Sequence, residues 1–329
     1  MSFRVESVKR LAGGAEQGVA LLSSADGNAA AEVWPGLGCN CLRWRVGGTD
    51  LLYVSPEWES NPVPTRSGNP VLFPFPNRIC DGRFTWAGRD YQLPINGPGG
   101  KHAIHGFVCR KPWRAAGSKW TNHSAEFWAE FQGSIDAPES LAHWPADYRI
   151  RISVELSANS LTITALIVNP DSKPLPWGLG YHPYFCVPLR NSGPPDDSFV
   201  AINARSRWEL TENLPTGKRK SSDWNSPRRF GELTLDDVFT DVQATGDGLV
   251  QLGSVVQPGV GAVDVLGDFQ FRELVVFTPP HRRAVCLEPY TCTTDAVNLQ
   301  VRGIDAGWQT LEPGESRSVK VQYRWRPMP

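Results

Sequence analysis

From Tyr148 to Leu156 every second residue is apolar, the period of a strand with one face on a core. The turn-forming Ser157–Ser160 follows, then Leu161–Val168 with the same alternation, so the two runs predict a hairpin. Ala125, Phe127, Ala129 and Phe131 alternate with polar or larger neighbours, and so do Val319, Val321, Tyr323 and Trp325 near the C-terminus. No long segment carries a 3.6-residue period. The chain has 31 glycines and 28 prolines in 329 residues, which punctuates it into short strands and turns. These features predict an all-β fold of large antiparallel sheets, each with one face on a core. Nothing reads as a linker, so residues 1–329 are expected to form a single β domain. Residues 54–70 and 190–198 are expected to be long loops. The basic stretch 217–230, with Lys218, Arg219, Lys220, Arg228 and Arg229, is expected to be a solvated loop.

Composition removes several function classes. Lys and Arg total 33 against 34 Asp and Glu, a net charge of -1, so there is no electrostatic case for nucleic acid or an anionic membrane surface. No apolar run is long enough for a membrane span. The start, MSFRVESVKRL, lacks the apolar core of a secretory signal, and a cytoplasmic location is expected. Seven scattered cysteines, with Cys39-x-Cys41 the only close pair, read as buried free thiols in a reducing compartment.

A few polar residues sit in unusual settings. His105 stands in Ala103-Ile-His-Gly-Phe107, where Gly106 lets the backbone bend. His182 stands in Gly178-Leu-Gly-Tyr-His-Pro-Tyr-Phe185, among the aromatic rings that a sugar's C–H face stacks on. Each reads either as a hydrogen-bonded structural histidine or as a proton donor near neutral pH. Glu288 ends the apolar run Ala284-Val-Cys-Leu-Glu288, as a salt-bridge partner or a general base with a raised pKa. Arg78 follows Phe73-Pro-Phe-Pro-Asn77, suited to an ion pair or to donating to hydroxyls. His102-x-x-His105 lacks the spacing and context of a metal site, so no metal is expected. No phosphate-loop, dinucleotide or serine-hydrolase motif is present, and no cofactor is expected.

Taken in order, several short segments resemble the aldose 1-epimerase family, the galactose mutarotase-like proteins. They are Asn77-Arg78-Ile79 with Asp81-Gly-Arg-Phe84, Tyr91–Asn96, Ala103–Phe107 and Gly180–Phe185. Leu235-Asp-Asp-Val-Phe239, Leu287–Thr291, Thr294–Leu299 and Leu311–Glu315 complete the set, which spans about residues 65–325. The resemblance implies a β-supersandwich with a sugar site in a cleft across one sheet. It implies Glu288 as base, His182 as acid and His105 as a holder of the substrate near the reacting end. Asn77, Arg78 and Asp236 would bind the sugar, with Asp237 the adjacent alternative to Asp236. The implied reaction interconverts the α and β anomers of a hexose, with the Glu as carboxylate and the His as imidazolium at neutral pH. The partner is then a small-molecule sugar, and the chain a monomer or homodimer. His105-Gly-Phe replaces the glycine-richer His-Gly-Gly of many galactose mutarotases, a form shared with relatives acting on hexose 6-phosphates. Arg66, Arg78, Arg110 and the clusters at 218–220 and 228–229 are the candidates for holding a phosphate. A non-catalytic carbohydrate-binding protein is the alternative from another class, and a glycosidase a third.

Overall fold

The computed structural model describes residues 2–191, 193–224, 226–242 and 248–328. Antiparallel sheets dominate it. Among the described residues the α-helices are two short ones, Gly133–Asp136 and Ala296–Val301. The predicted hairpin forms from Arg149–Leu156 and Ser160–Val168, in a register that runs from Arg149 opposite Val168 to Leu156 opposite Leu161. Ile150, Ile152, Val154 and Leu156, and Leu161, Ile163, Ala165 and Ile167 across from them, are no more than 1% exposed. Burying a side chain such as Ile or Leu contributes roughly 1.5–3 kcal/mol, so this one face anchors the register.

The hairpin belongs to a nine-stranded sheet that also contains the long C-terminal strand Ser316–Pro327, Gly261–Gly267 and Val250–Gln257. Facing it is an eight-stranded sheet. Its strands run in the order Leu214–Ser221, Ala204–Thr211, Asp236–Val242, Glu273–Phe277, Ala284–Tyr290, Gly180–Tyr181 and Val71–Leu72, and Tyr184–Cys186 also pairs with Ala284–Tyr290. The sheets meet at close range. A Cβ on Gly253 of the nine-stranded sheet would lie 3.2 Å from Leu274 of the other, and Phe185 meets Tyr323 edge-on at 5.3 Å. A five-stranded meander from Phe3 to Asp50 packs its Trp44 ring 6.4 Å from Tyr323. This is the expected large antiparallel β-sandwich.

One expectation fails. Residues 218–220 are not loop but lie on the edge strand Leu214–Ser221, and Arg228–Arg229 forms a short edge strand of the nine-stranded sheet. Charged side chains suit a sheet edge, where they oppose pairing with another chain. Two of them lie over tryptophans, the Arg219 guanidinium 4.3 Å from the Trp208 ring centre and that of Arg228 4.7 Å from Trp224. Within 190–198, Ser192 falls outside the described residues. The rest holds the short turns ending at Asn191 and Pro195–Asp197. Segment 54–70 is loop apart from the turn Pro64–Arg66 and one bridge, from Asn69 to Cys41. Asn40 ties it down by donating to the Pro64 and Ser67 carbonyls.

Candidate active site

The strand Ala284–Tyr290 lies inside the eight-stranded sheet, and all seven of its residues are buried. Alternation divides its side chains between two faces. Val285 and Leu287 enter the main core, while Cys286, Glu288 and Tyr290 point to the other face. Pairing extends that second face sideways. Val275 stands opposite Glu288 and Phe277 opposite Cys286, and on the next strand Asp236 stands opposite Phe277. The helix Ala296–Val301 covers one end of this face through Ala296 and Leu299, which pack with Tyr290, Val275 and Trp208. The uncovered end is a cleft of about 840 Å³, lined among others by Asn77, Arg78, His105, His182, Asp236 and Glu288. All six sequence-predicted site residues thus come together.

His182 reaches the base through its neighbours in the chain. Gly180 pairs with Tyr290, and a Cβ there would lie 2.4 Å from the Tyr290 ring, so only glycine lets the two strands approach. Pro183 follows, and Tyr184 re-enters the sheet opposite Cys286. The His182 ring stacks on Tyr184 at 4.7 Å and meets Phe277 edge-on at 6.3 Å. Its Nε2 is thereby held 3.3 Å from Oε1 of Glu288. The other carboxyl oxygen, Oε2, accepts the Tyr290 hydroxyl at 2.5 Å.

The opposite wall comes from two segments that the resemblance named separately. Ile104 pairs with Arg78, and the His105 N–H donates to the Asn77 carbonyl at 2.9 Å. Asn77 and His105 both have left-handed backbones, φ 52° and 65°. Such residues cost of order 1–3 kcal/mol each and collect at functional sites. Gly106, also at φ 65°, lies so close to the Phe73 carbonyl that a Cβ would stand 2.1 Å from its oxygen. Arg78 donates to the Asn77 side chain at 2.9 Å and lies 3.7 Å from Asp236. Asp237 points away and pairs with Arg207 at 3.4 Å.

Burial governs the protonation of the site, and it reverses the expected charges. Desolvation pushes the Glu288 carboxyl well above its ordinary range, against the opposing pull of the Tyr290 hydroxyl. It pushes His182 down to about 3. The pair is therefore a carboxylic acid beside a neutral imidazole. His105 is also held neutral, first by burial and then by His182, Arg78 and Arg110. Its Nδ1 is sealed off although the residue as a whole is half-buried. Burial raises Asp236, partly offset by Arg78.

Sequence reasoning gave no role to Tyr290, Tyr184, Phe277 or Cys286. The signal for Cys286 and Tyr290 was present, since each is two residues from Glu288 on a strand. The cleft also receives Arg66, Arg110 and Arg283. Arg283 lies over Tyr53, 5.6 Å from its ring, and the Tyr53 ring stacks on His281 at 4.7 Å. The basic clusters at 218–220 and 228–229 do not line the cleft. His102 does not join His105, for its Nδ1 accepts the Asp81 N–H at 3.0 Å.

Both the sequence and the sandwich of antiparallel sheets have counterparts among known proteins. A model of the aldose 1-epimerase family matches residues 21–324, and the chain belongs to that family. The uncharacterized protein YphB of Escherichia coli K12 is 32% identical over 262 residues, covering 77% of this chain and 82% of the relative. YihR of the same organism is 25% identical over 243 residues, covering 71% and 72%. A galactose mutarotase-like protein from Clostridium acetobutylicum superposes with a TM-score of 0.88 at 23% identity, over 99% of this chain and 98% of that one. Galactose 1-epimerase from Lactobacillus acidophilus gives 0.74 at 16% identity, over 99% and 98%. These structural likenesses show the galactose mutarotase-like sandwich fold.

Proposed function

We propose that the protein interconverts the α and β anomers of a hexose by opening and closing the ring. The observation that carries this reading is the contact between Glu288 and His182, 3.3 Å apart and both buried at the cleft floor. The pair holds one proton between its two groups. Passing it from Glu288 to His182 gives carboxylate and imidazolium, the form that attacks a closed ring. Glu288 then takes the proton of the C1 hydroxyl while His182 gives its proton to the ring oxygen. The bond from C1 to the ring oxygen breaks and C1 becomes an aldehyde. The pair is left as carboxylic acid and neutral imidazole, the state that burial favours. Rotation about C1–C2 presents the other carbonyl face, and the same transfers in reverse close the ring.

The surrounding groups fit this use. Tyr290 holds one carboxyl oxygen so that the other faces His182. His105 stands beside His182, ring centroids 5.6 Å apart, near the reacting end. Asn77, Arg78 and Asp236 offer donors and acceptors to hydroxyls, and the half-buried Phe277 offers a ring to the sugar's C–H face. Polarimetry or exchange NMR of α-glucose and α-galactose tests the reading. Glu288→Gln keeps the shape but accepts no proton, so mutarotation should fall at least ~100-fold, the low end for one acid–base group, with binding kept. Wild-type rates in this variant would remove Glu288 from the reaction. Sugar binding without turnover in the wild type would favour a non-catalytic binding protein.

A second reading, a hexose 6-phosphate substrate, is favoured by Arg66, Arg110 and Arg283. These line the cleft, and none has a carboxylate within ion-pair distance among the described residues. Fixed guanidinium groups are the usual partners of phosphate. Comparing kcat/KM for glucose and glucose 6-phosphate at two salt concentrations decides between them. A preference for the phosphate above about tenfold, ~1.4 kcal/mol, that weakens with salt would establish the second reading.

A further inference from the structure

Two groups of metal-ligating side chains come together among the described residues. In the first, Cys80, Asp81 and His102, the His102 lone pair already accepts the Asp81 N–H, so the site lacks a free imidazole nitrogen. The second group is His182, Cys286 and Glu288. One donor atom from each lies within 4.8 Å of the other two, and all three residues are buried.

The acid–base chemistry above uses His182 and Glu288 but has no work for Cys286. Its thiol shares the Glu288 face of the strand because the two residues are two apart, and Tyr184 and Phe277 flank it by register. Nδ1 of His182 is buried with no hydrogen-bond partner, so no protein group fixes the tautomer of the ring. The imidazole lone pair can therefore be presented toward the carboxyl. The spacing suits a metal ion as well. Ligand bonds of about 2.0–2.3 Å in a tetrahedron set neighbouring ligand atoms roughly 3.3–3.8 Å apart, and the His182–Glu288 contact is 3.3 Å. Thiolate with imidazole and carboxylate is a donor set for borderline and soft divalent ions. Three protein ligands leave a fourth position, and two of them, His182 and Glu288, line the cleft.

We propose that His182, Cys286 and Glu288 form a binding site for a thiophilic divalent cation of the Zn²⁺ class, and that its occupation shuts off the acid–base pair. Binding makes metal–sulfur, metal–nitrogen and metal–oxygen bonds and releases the thiol and carboxyl protons to water. Nothing is oxidised or reduced. The metal and the sugar compete, because both need the same lone pairs on His182 and Glu288. The inhibitory half of the proposal rests on the mutarotase reading, whereas the binding half does not.

The test uses the full chain, stripped with EDTA and titrated with Cd²⁺, whose bond to a thiolate gives an ultraviolet charge-transfer band. Wild type should show a band from one more equivalent of tightly bound Cd²⁺ than Cys286→Ser. Cys286→Ala should behave as Cys286→Ser does, so that one poorly folded variant does not decide the result. Zn²⁺ should inhibit wild-type mutarotation and be at least about tenfold less potent on both variants, whose metal-free rates stay near wild type. Excess sugar should displace the Cys286-dependent Cd²⁺. Equal Cd²⁺ bands in wild type and both variants would overturn the site. Equal inhibition in all three proteins, or activation by Zn²⁺, would overturn the inhibitory role. A Cys286-dependent band in a protein without mutarotase activity would keep the site and reject the mutarotase reading instead.

Discussion

Replacing Glu273 with glutamine should remove a loss of stability that the native protein suffers as pH rises. Glu273 is fully buried, and its two carboxyl oxygens accept hydrogen bonds from Trp208 Nε1 and Thr240 Oγ1, each at 3.0 Å. Burial dominates those two donors and pushes the carboxyl from 4.5 up to about 8. The folded state thus keeps its proton to about pH 8, while the unfolded chain releases it near 4.5. Between those values the unfolded state binds fewer protons, so stability is complete below about 4.5 and falls as pH rises. The slope for one proton is ~1.4 kcal/mol per pH unit, and the whole interval amounts to at most about 5 kcal/mol. Glutamine has nearly the same shape. Its oxygen accepts from Trp208 and its amide donates to the Thr240 hydroxyl, which turns to accept. Urea unfolding of both proteins at pH 5, 6, 7 and 8 measures the difference, with other titrating groups cancelling. It should move in favour of Glu273→Gln by ~1.4 kcal/mol per unit, about 4 kcal/mol from pH 5 to 8. Two curves that stay parallel across this range would refute a protonated Glu273.

The pH dependence of kcat/KM should show no step near the ordinary histidine value, 6.5, because His182 is held to about 3. The rate should fall in acid only as pH approaches about 3, and in alkali as Glu288 loses the shared proton, so a midpoint near 6.5 would show an exposed imidazole instead. Tyr290→Phe removes the donor that lowers Glu288, so the alkaline limb should move up and kcat fall by about tenfold or more, the worth of one hydrogen bond to a charged group, with KM little changed. An unchanged profile would limit Tyr290 to packing.

The sheets were legible because alternation is local information. Whether Ile150, Ile152 and Val154 face a core follows from their spacing, and the hairpin partner begins only a few residues further on. Four of the six site residues, Arg78, His105, His182 and Glu288, stood out by their local settings, whereas Asn77 and Asp236 were reached through resemblance, since no spacing links them to Glu288. The basic run 218–220 was misread for a local reason: a charged edge strand and a solvated loop have the same composition, and only its neighbour Ala204–Thr211 distinguishes them.

What the amino-acid order determined by itself is the class of fold and the identity of the polar groups. Tertiary structure decided their charges and their pairing. Asp236 and Asp237 are adjacent, and the pleat sends one to the cleft and the other to Arg207, a choice set by strand pairing. Glu288 and His182 meet only because Gly180 lets two strands close on Tyr290. Their neutral state comes from burial, because the surrounding sheet excludes water. Desolvation depends on every atom packed around a group, and those atoms come from segments scattered along the whole chain.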